Sequence, residues 1–172
     1  MTNAYIVAGP ESSGNRLVAA ILVRSGCRGE GSTNQPKSVD ELQPDDGTPY
    51  VIIAHHNLMR WIDALRSMDY RVHVVVVIRE PVATIGSQVA RGHIADPQRA
   101  YMVRSQTIAR TFEDTTKSGV ATHVVTYEGL CESALKQWLP LIGLEYASGP
   151  LDLRGQDSPD WITNENEKHY QE

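Results

Sequence analysis

Residues Val74 to Ile78 form an unbroken run of β-branched apolar side chains inside the segment YRVHVVVVIRE. Successive residues of a strand point to opposite faces, so such a run suits a strand buried on both sides. That environment arises in parallel sheets covered by helices on each face. The segments AYIVAG (4–9), PYVIIAHH (49–56) and THVVTYEGL (122–130) read as three further strands. Helical patterns stand between them. One covers 15–26 with Gly26 as its C-cap, one covers 57–68 with Asn57 as its N-cap, and one is entered at Pro81. A longer helix over 96–119 has Asp96 as its cap and Pro97 in its first turn. The last, CESALKQWLPLIGL, is bent or ended by Pro140. Strands alternating with helices predict an α/β fold of three layers, α/β/α, around a mostly parallel central sheet.

A chain of 172 residues, 41% apolar and 22% charged, predicts a single soluble domain spanning 1–172. The formal net charge of -5 argues against nucleic acid as a partner. No stretch reaches the roughly 20 apolar residues of a membrane span, and the N-terminus lacks the features of a signal peptide. Cys27 and Cys131 fall in no zinc or CxxC spacing and read as free thiols, which places the chain in the cytoplasm. The segment 27–48, rich in Gly, Pro, Ser and Asp, reads as a long mobile loop, and 147–172 as a polar C-terminal tail.

Ligands of such sheets bind at the carboxyl ends of the strands. Three polar groups are expected on that rim: the loop after the first strand, His55 and His56 after the second, and Arg79 after the valine strand. The loop is GPESSGNR, residues 9–16. Gly9 and Gly14 permit a tight turn with close backbone approach, and the following helix offers unpaired N–H groups to an anion. Ser12, Ser13 and Asn15 add side-chain donors, and Arg16 adds a forked positive charge. A phosphate loop for Mg·ATP carries Lys and then Ser or Thr where Asn15 and Arg16 stand. The pattern therefore favours an oxyanion that arrives without an essential metal, the plain alternative being a turn that caps the helix.

IREPVATIGS places Arg79 at a strand end and Ser87 eight residues later, roughly 9–10 Å along the helix that Pro81 starts. The two suit opposite sides of one phosphate; a structural ion pair of Arg79 with Glu80 or Glu128 is the other reading. In this order the elements resemble sulfotransferases that use 3′-phosphoadenosine 5′-phosphosulfate (PAPS). In that family a P-[KR]-S-G-T loop holds the 5′-phosphosulfate, and an Arg-x-Pro with Ser eight residues after the Arg holds the 3′-phosphate. Arg79, Pro81 and Ser87 match the second pattern, TYEGL (126–130) is similar to the family's Y-E-x-L, and LPLIGL (139–144) to its L-x-x-x-L-G-L run. The resemblance covers most of 4–145 and implies a P-loop NTPase-like fold, PAPS as donor, 3′,5′-ADP as product and no metal. It assigns Gly9, Pro10, Ser12, Ser13, Gly14, Asn15 and Arg16 to the phosphosulfate. The loop departs from the family by one extra residue between Pro10 and Ser13, and the basic position before the serine is Ser12. Arg16 is the candidate to reach back and replace that charge.

Sulfuryl transfer needs a base for the acceptor hydroxyl, alignment of the reacting groups and stabilisation of leaving-group charge. Histidine suits the first task. By resemblance to the family's K-T-H-L segment, His56 aligns with the catalytic base and His55 with the residue before it, while Ala54 stands where the family has Lys. Packing or capping roles are the alternative for both. Glu11 is a weaker candidate base, His73, His93 and His123 read as structural or surface residues, and Lys168 in the tail aligns with a basic segment that returns to the nucleotide. The expected function is transfer of a sulfuryl group to a hydroxyl or amine of a small-molecule or glycan acceptor. A P-loop kinase and a non-catalytic nucleotide-binding relative are the other readings. Neither the acceptor nor the oligomeric state is readable; 27–48 and Arg91, His93, Arg99 and Arg104 are candidates to border the acceptor.

Overall fold

The computed structural model of the chain describes residues 1–29, 36, 38–54 and 56–149. Five strands form one sheet: β1 (Asn3–Ala8), β2 (Arg28–Gly29), β3 (Tyr50–Ala54), β4 (Arg71–Ile78) and β5 (Ala121–Thr126). Their order is β2-β3-β1-β4-β5, and every pairing is parallel. The helices are α1 (Asn15–Arg24), α2 (Leu58–Ser67), α3 (Pro81–Ala90), α4 (Pro97–Ser118) and α5 (Glu132–Leu141). No helix among the described residues is long and apolar enough to cross a membrane.

Side-chain alternation along the strands divides the core in two. Tyr5, Val7, Val51, Ile53, Val75, Val77 and Val125 pack with Leu17, Ile21 and Leu22 of α1 and Leu135 and Leu139 of α5. Ala4, Ile6, Ile52, Val72, Val74 and Val76 pack on the opposite face with Leu58, Ile62 and Leu65 of α2 and Phe112 of α4. The valine run is buried from both sides, as its composition requires. The result is the three-layer α/β/α architecture. Cys27 and Cys131 are buried, and neither is in a disulfide.

The segment 27–48 departs from the expected loop. Arg28 and Gly29 add an edge strand beside Tyr50 and Val51, and Val39–Glu41 make a 3-10 turn. A charged residue followed by glycine carries no strand signal of its own. What fixes it is long-range: the Arg28 guanidinium donates to Gln43 at 2.7 Å, to the Pro44 carbonyl and to the Tyr70 hydroxyl, and pairs with Asp46 at 3.1 Å. Leu42 is thereby held in the core. β3 is described over Tyr50–Ala54, and His56, expected at the end of that strand, lies outside it. Asn57 stands at the N-cap position of α2 but in the left-handed conformation, with no side-chain cap bond.

His73 and His123 meet across β4 and β5, with Nδ1 of one 3.2 Å from Nε2 of the other. The rings stack at 5.5 Å, and Tyr5 lies 5.4 Å from His73. One nitrogen must donate and the other accept, so the contact is lost when both rings are protonated. Burial lowers both pKa values; His123 and Arg71 lower that of His73 further. Below the ordinary value of 6.5 the unfolded chain binds protons that the folded pair resists. Stability is therefore complete above pH 6.5 and falls with acidification below it, by up to about 1.4 kcal/mol per pH unit for each proton taken up only by the unfolded chain. Urea midpoints from pH 7.5 to 5 should show that decline, and His123→Phe should flatten it. An equal slope in the variant would remove the pair as its cause.

Candidate functional site

The topology selects one place for a ligand. From β1 the chain passes to α1 on one face of the sheet, whereas β3 and β4, on either side of β1, lead to α2 and α3 and thence α4, with α2 and α4 on the other face. Connections that diverge from neighbouring strands leave a crevice at the carboxyl end of β1. GPESSG occupies that position.

The loop closes by a bond from Ser13 N–H to the Pro10 carbonyl, at 3.2 Å. Ser12 (φ 65°) and Gly14 (φ 96°) are both left-handed, an alternation that turns successive N–H groups towards a common centre. The first bond of α1 runs from Val18 N–H to the Gly14 carbonyl, so the N–H groups of Asn15, Arg16 and Leu17 precede the ladder, and no side chain caps them. The glycines serve the protein's own packing. A β-carbon on Gly9 would sit inside contact distance of the Val77 carbonyl, and one on Gly14 would lie 2.5 Å from the Tyr127 ring.

Asn15 is buried and faces inward. Its amide donates to the carbonyls of Gly9 at 3.1 Å and Pro10 at 3.3 Å, so the side chain shapes the loop and leaves the backbone N–H as this residue's donor to an anion. Arg16 is exposed and forms no ion pair among the described residues. Ser13 is 0% exposed, and the hydroxyls of Ser12 and Ser13 are buried without a partner.

Arg79 leaves the end of β4 and folds over this loop. Its Nη1 donates to the Ser12 carbonyl at 3.3 Å, and its guanidinium lies 4.2 Å from the centre of the Tyr127 ring, the same ring that covers Gly14. Burial raises the Tyr127 phenol above its ordinary pKa of 10, with the Arg79 charge opposing. Neither Glu80 nor Glu128 pairs with Arg79. Glu80 caps α3 by accepting from Val82 and Ala83 N–H at 3.0 and 2.7 Å, and Glu128 accepts from Glu80 N–H at 2.9 Å.

Ser87 is half-buried on α3. The α3 residue that touches the loop is its neighbour Gln88, which donates to the Glu11 carbonyl at 2.8 Å. Sequence reasoning passed over Gln88. The signal lay in the spacing of Thr84 and Gln88, one turn apart on the inner face of an otherwise apolar helix. Glu11 itself is exposed beside His93 at 3.8 Å.

His56 is exposed at the entry to α2, where its carbonyl accepts from Trp61 Nε1 at 3.2 Å. It lines a pocket of about 200 Å³ between the ends of β1 and β3 and the side of α4. Gly9, Asn57, Gln106, Arg110 and Asp114 also line it. Gly9 thus joins the loop after β1 to this pocket. His55 and Lys168 lie outside the described residues, as do 150–172 of the expected tail. Among the described residues no cluster of three or more His, Cys, Asp or Glu side chains is arranged to hold a metal ion.

No family model, curated protein or solved structure matches the chain.

Proposed function

We propose that the protein is a sulfotransferase that moves a sulfuryl group from PAPS to a hydroxyl or amine of a small-molecule or glycan acceptor. The observation that carries this reading is a concentration of unsatisfied polarity. Eleven side-chain polar atoms of the described residues are buried without hydrogen-bond partners, and six of them, Ser12 Oγ, Ser13 Oγ, Asn15 Oδ1, Arg79 Nε, Gln88 Oε1 and Arg104 Nε, belong to the loop after β1 or to residues bonded to its neighbourhood. Buried polar atoms without partners are costly, and a fold keeps such a cluster where a ligand satisfies it.

In this reading the N–H groups at the start of α1 and the hydroxyls of Ser12 and Ser13 hold the phosphosulfate. Arg79 and Ser87 hold the 3′-phosphate. The acceptor lies in the pocket beyond Gly9, where His56 takes its proton as the acceptor oxygen bonds to sulfur. The S–O bond to the phosphate breaks, and its electron pair leaves with 3′,5′-ADP. Arg16, exposed at the rim, supplies charge to the leaving phosphate. A Mg·ATP kinase is less well matched: where such a loop has its lysine, the Asn15 amide is held by two of the loop's carbonyls.

Calorimetry with 3′,5′-ADP and ATP, each with and without Mg²⁺, tests the donor. Tight, metal-independent binding of 3′,5′-ADP is expected, and ATP binding that depends on Mg²⁺ would sink the proposal. Turnover of labelled PAPS against an acceptor panel then separates an enzyme from a non-catalytic nucleotide binder. Arg79→Ala should weaken 3′,5′-ADP by roughly 10–100-fold, the loss of a charge-assisted bond, and hardly change 5′-AMP. Equal losses for both would mean that Arg79 acts by steadying the loop through Ser12 and Tyr127 rather than by reading the 3′-phosphate.

A further inference from the structure

Arg104 is 8% exposed, in the inward row of α4 that also holds Ala100, Thr111 and Thr115. A guanidinium offers five N–H donors and keeps its charge in any protein environment. Here one nitrogen, Nη2, donates to the Arg79 carbonyl at 2.8 Å, while Nε is buried without a partner. No carboxylate among the described residues lies within ion-pair distance of it. Glu80 feels its field, yet both Glu80 oxygens are held by the N-terminus of α3. Removing a cation from water without a counter-charge is among the costliest things a fold does. Arg79, whose carbonyl Arg104 holds, brings a second guanidinium with a buried, unpartnered Nε to the same strand end. A neutral amide would hold one carbonyl equally well, so that bond does not explain a buried charge. Two forked cations at one strand end are matched by a dianion with several oxygens in tetrahedral array, which is a phosphate monoester.

We infer that Arg104 is a second ligand, beside Arg79, of the phosphate monoester on the donor that is not transferred. This rests on the donor reading above and assigns to α4 a contact that the Arg79–Ser87 pattern does not contain.

The test compares the wild-type chain with Arg104→Met and Arg104→Lys. With no ligand, Arg104→Met should melt at the wild-type temperature or above it, because an uncompensated buried charge is gone. It should bind 3′,5′-ADP at least about 10-fold more weakly and 5′-AMP within about threefold of wild type, with Arg104→Lys between the two. A lower melting temperature or failure to fold in Arg104→Met, or 3′,5′-ADP affinity within threefold of wild type, would overturn the assignment. If the wild type binds neither nucleotide, the donor reading fails, and inorganic sulfate decides the role of Arg104. Sulfate should then raise the wild-type melting temperature, relative to sodium chloride of equal ionic strength, by more than it raises that of Arg104→Met. Equal rises would end the inference.

Discussion

Replacing His56 by alanine should lower turnover of PAPS by about 10²–10⁴-fold, the usual contribution of a positioned general base, while 3′,5′-ADP binds within about threefold of wild type. The split follows from where the residue stands. His56 lines the pocket beyond Gly9, where the acceptor is proposed to lie, whereas Arg79 and Gln88 bond to the loop at Ser12 and Glu11 and do not line that pocket. Its side chain is exposed, and the bond from Trp61 Nε1 goes to its backbone carbonyl. Truncation should therefore leave the melting temperature nearly unchanged, so a fall in rate cannot be blamed on folding. Glu11→Gln is the matching control, because Glu11 is the other candidate base and its exposed carboxylate faces His93. Unchanged turnover in His56→Ala, with a loss in Glu11→Gln, would transfer the role to Glu11.

The layers of the fold were legible because they rest on local pattern. Val74 to Val77 matched a strand of a covered parallel sheet, and Pro81 and the Asp96–Pro97 pair marked the starts of α3 and α4; that Glu80 caps α3 came only from the structure. What was not legible depends on contacts distant in sequence. β2 exists because Arg28 is anchored by Gln43, Pro44 and Tyr70. The His73–His123 pair exists because the register of β4 and β5 brings the two rings together.

The candidate site divides in the same way. A glycine-bounded loop at the end of β1 could be read from the chain, but not the direction of its side chains. Asn15 was expected to reach for an anion and instead holds the carbonyls of Gly9 and Pro10. Arg79 was legible as a polar residue at a strand end, but not its contacts with Tyr127 and Ser12. Arg104 was placed only as a candidate border residue of the acceptor. The usual pattern of helices turns arginine outward, and only the packed structure shows its charge inside.

Gly9→Ala should be the most damaging single substitution in the loop, costing about 3 kcal/mol and abolishing anion binding in whatever fraction folds. The cause is geometric. The added methyl would overlap the carbonyl of Val77 in the adjoining central strand and sit 2.9 Å from Asn15 Oδ1. Neither neighbour can yield cheaply. Val77 is buried in the middle of the sheet, and Asn15 is fastened by the very carbonyls that the methyl would displace. Relief would have to come from spreading β1 and β4 at their carboxyl ends, which opens the crevice where the ligand is proposed to bind. Gly86→Ala supplies the opposite expectation. Gly86 is inside α3, and a β-carbon there meets nothing within 4 Å. Alanine should raise stability by up to about 1 kcal/mol through helix propensity and leave 3′,5′-ADP binding intact. Denaturant midpoints of the two variants would decide the matter. A Gly9→Ala protein as stable as wild type would show that the loop and β4 do not approach as closely as this packing requires.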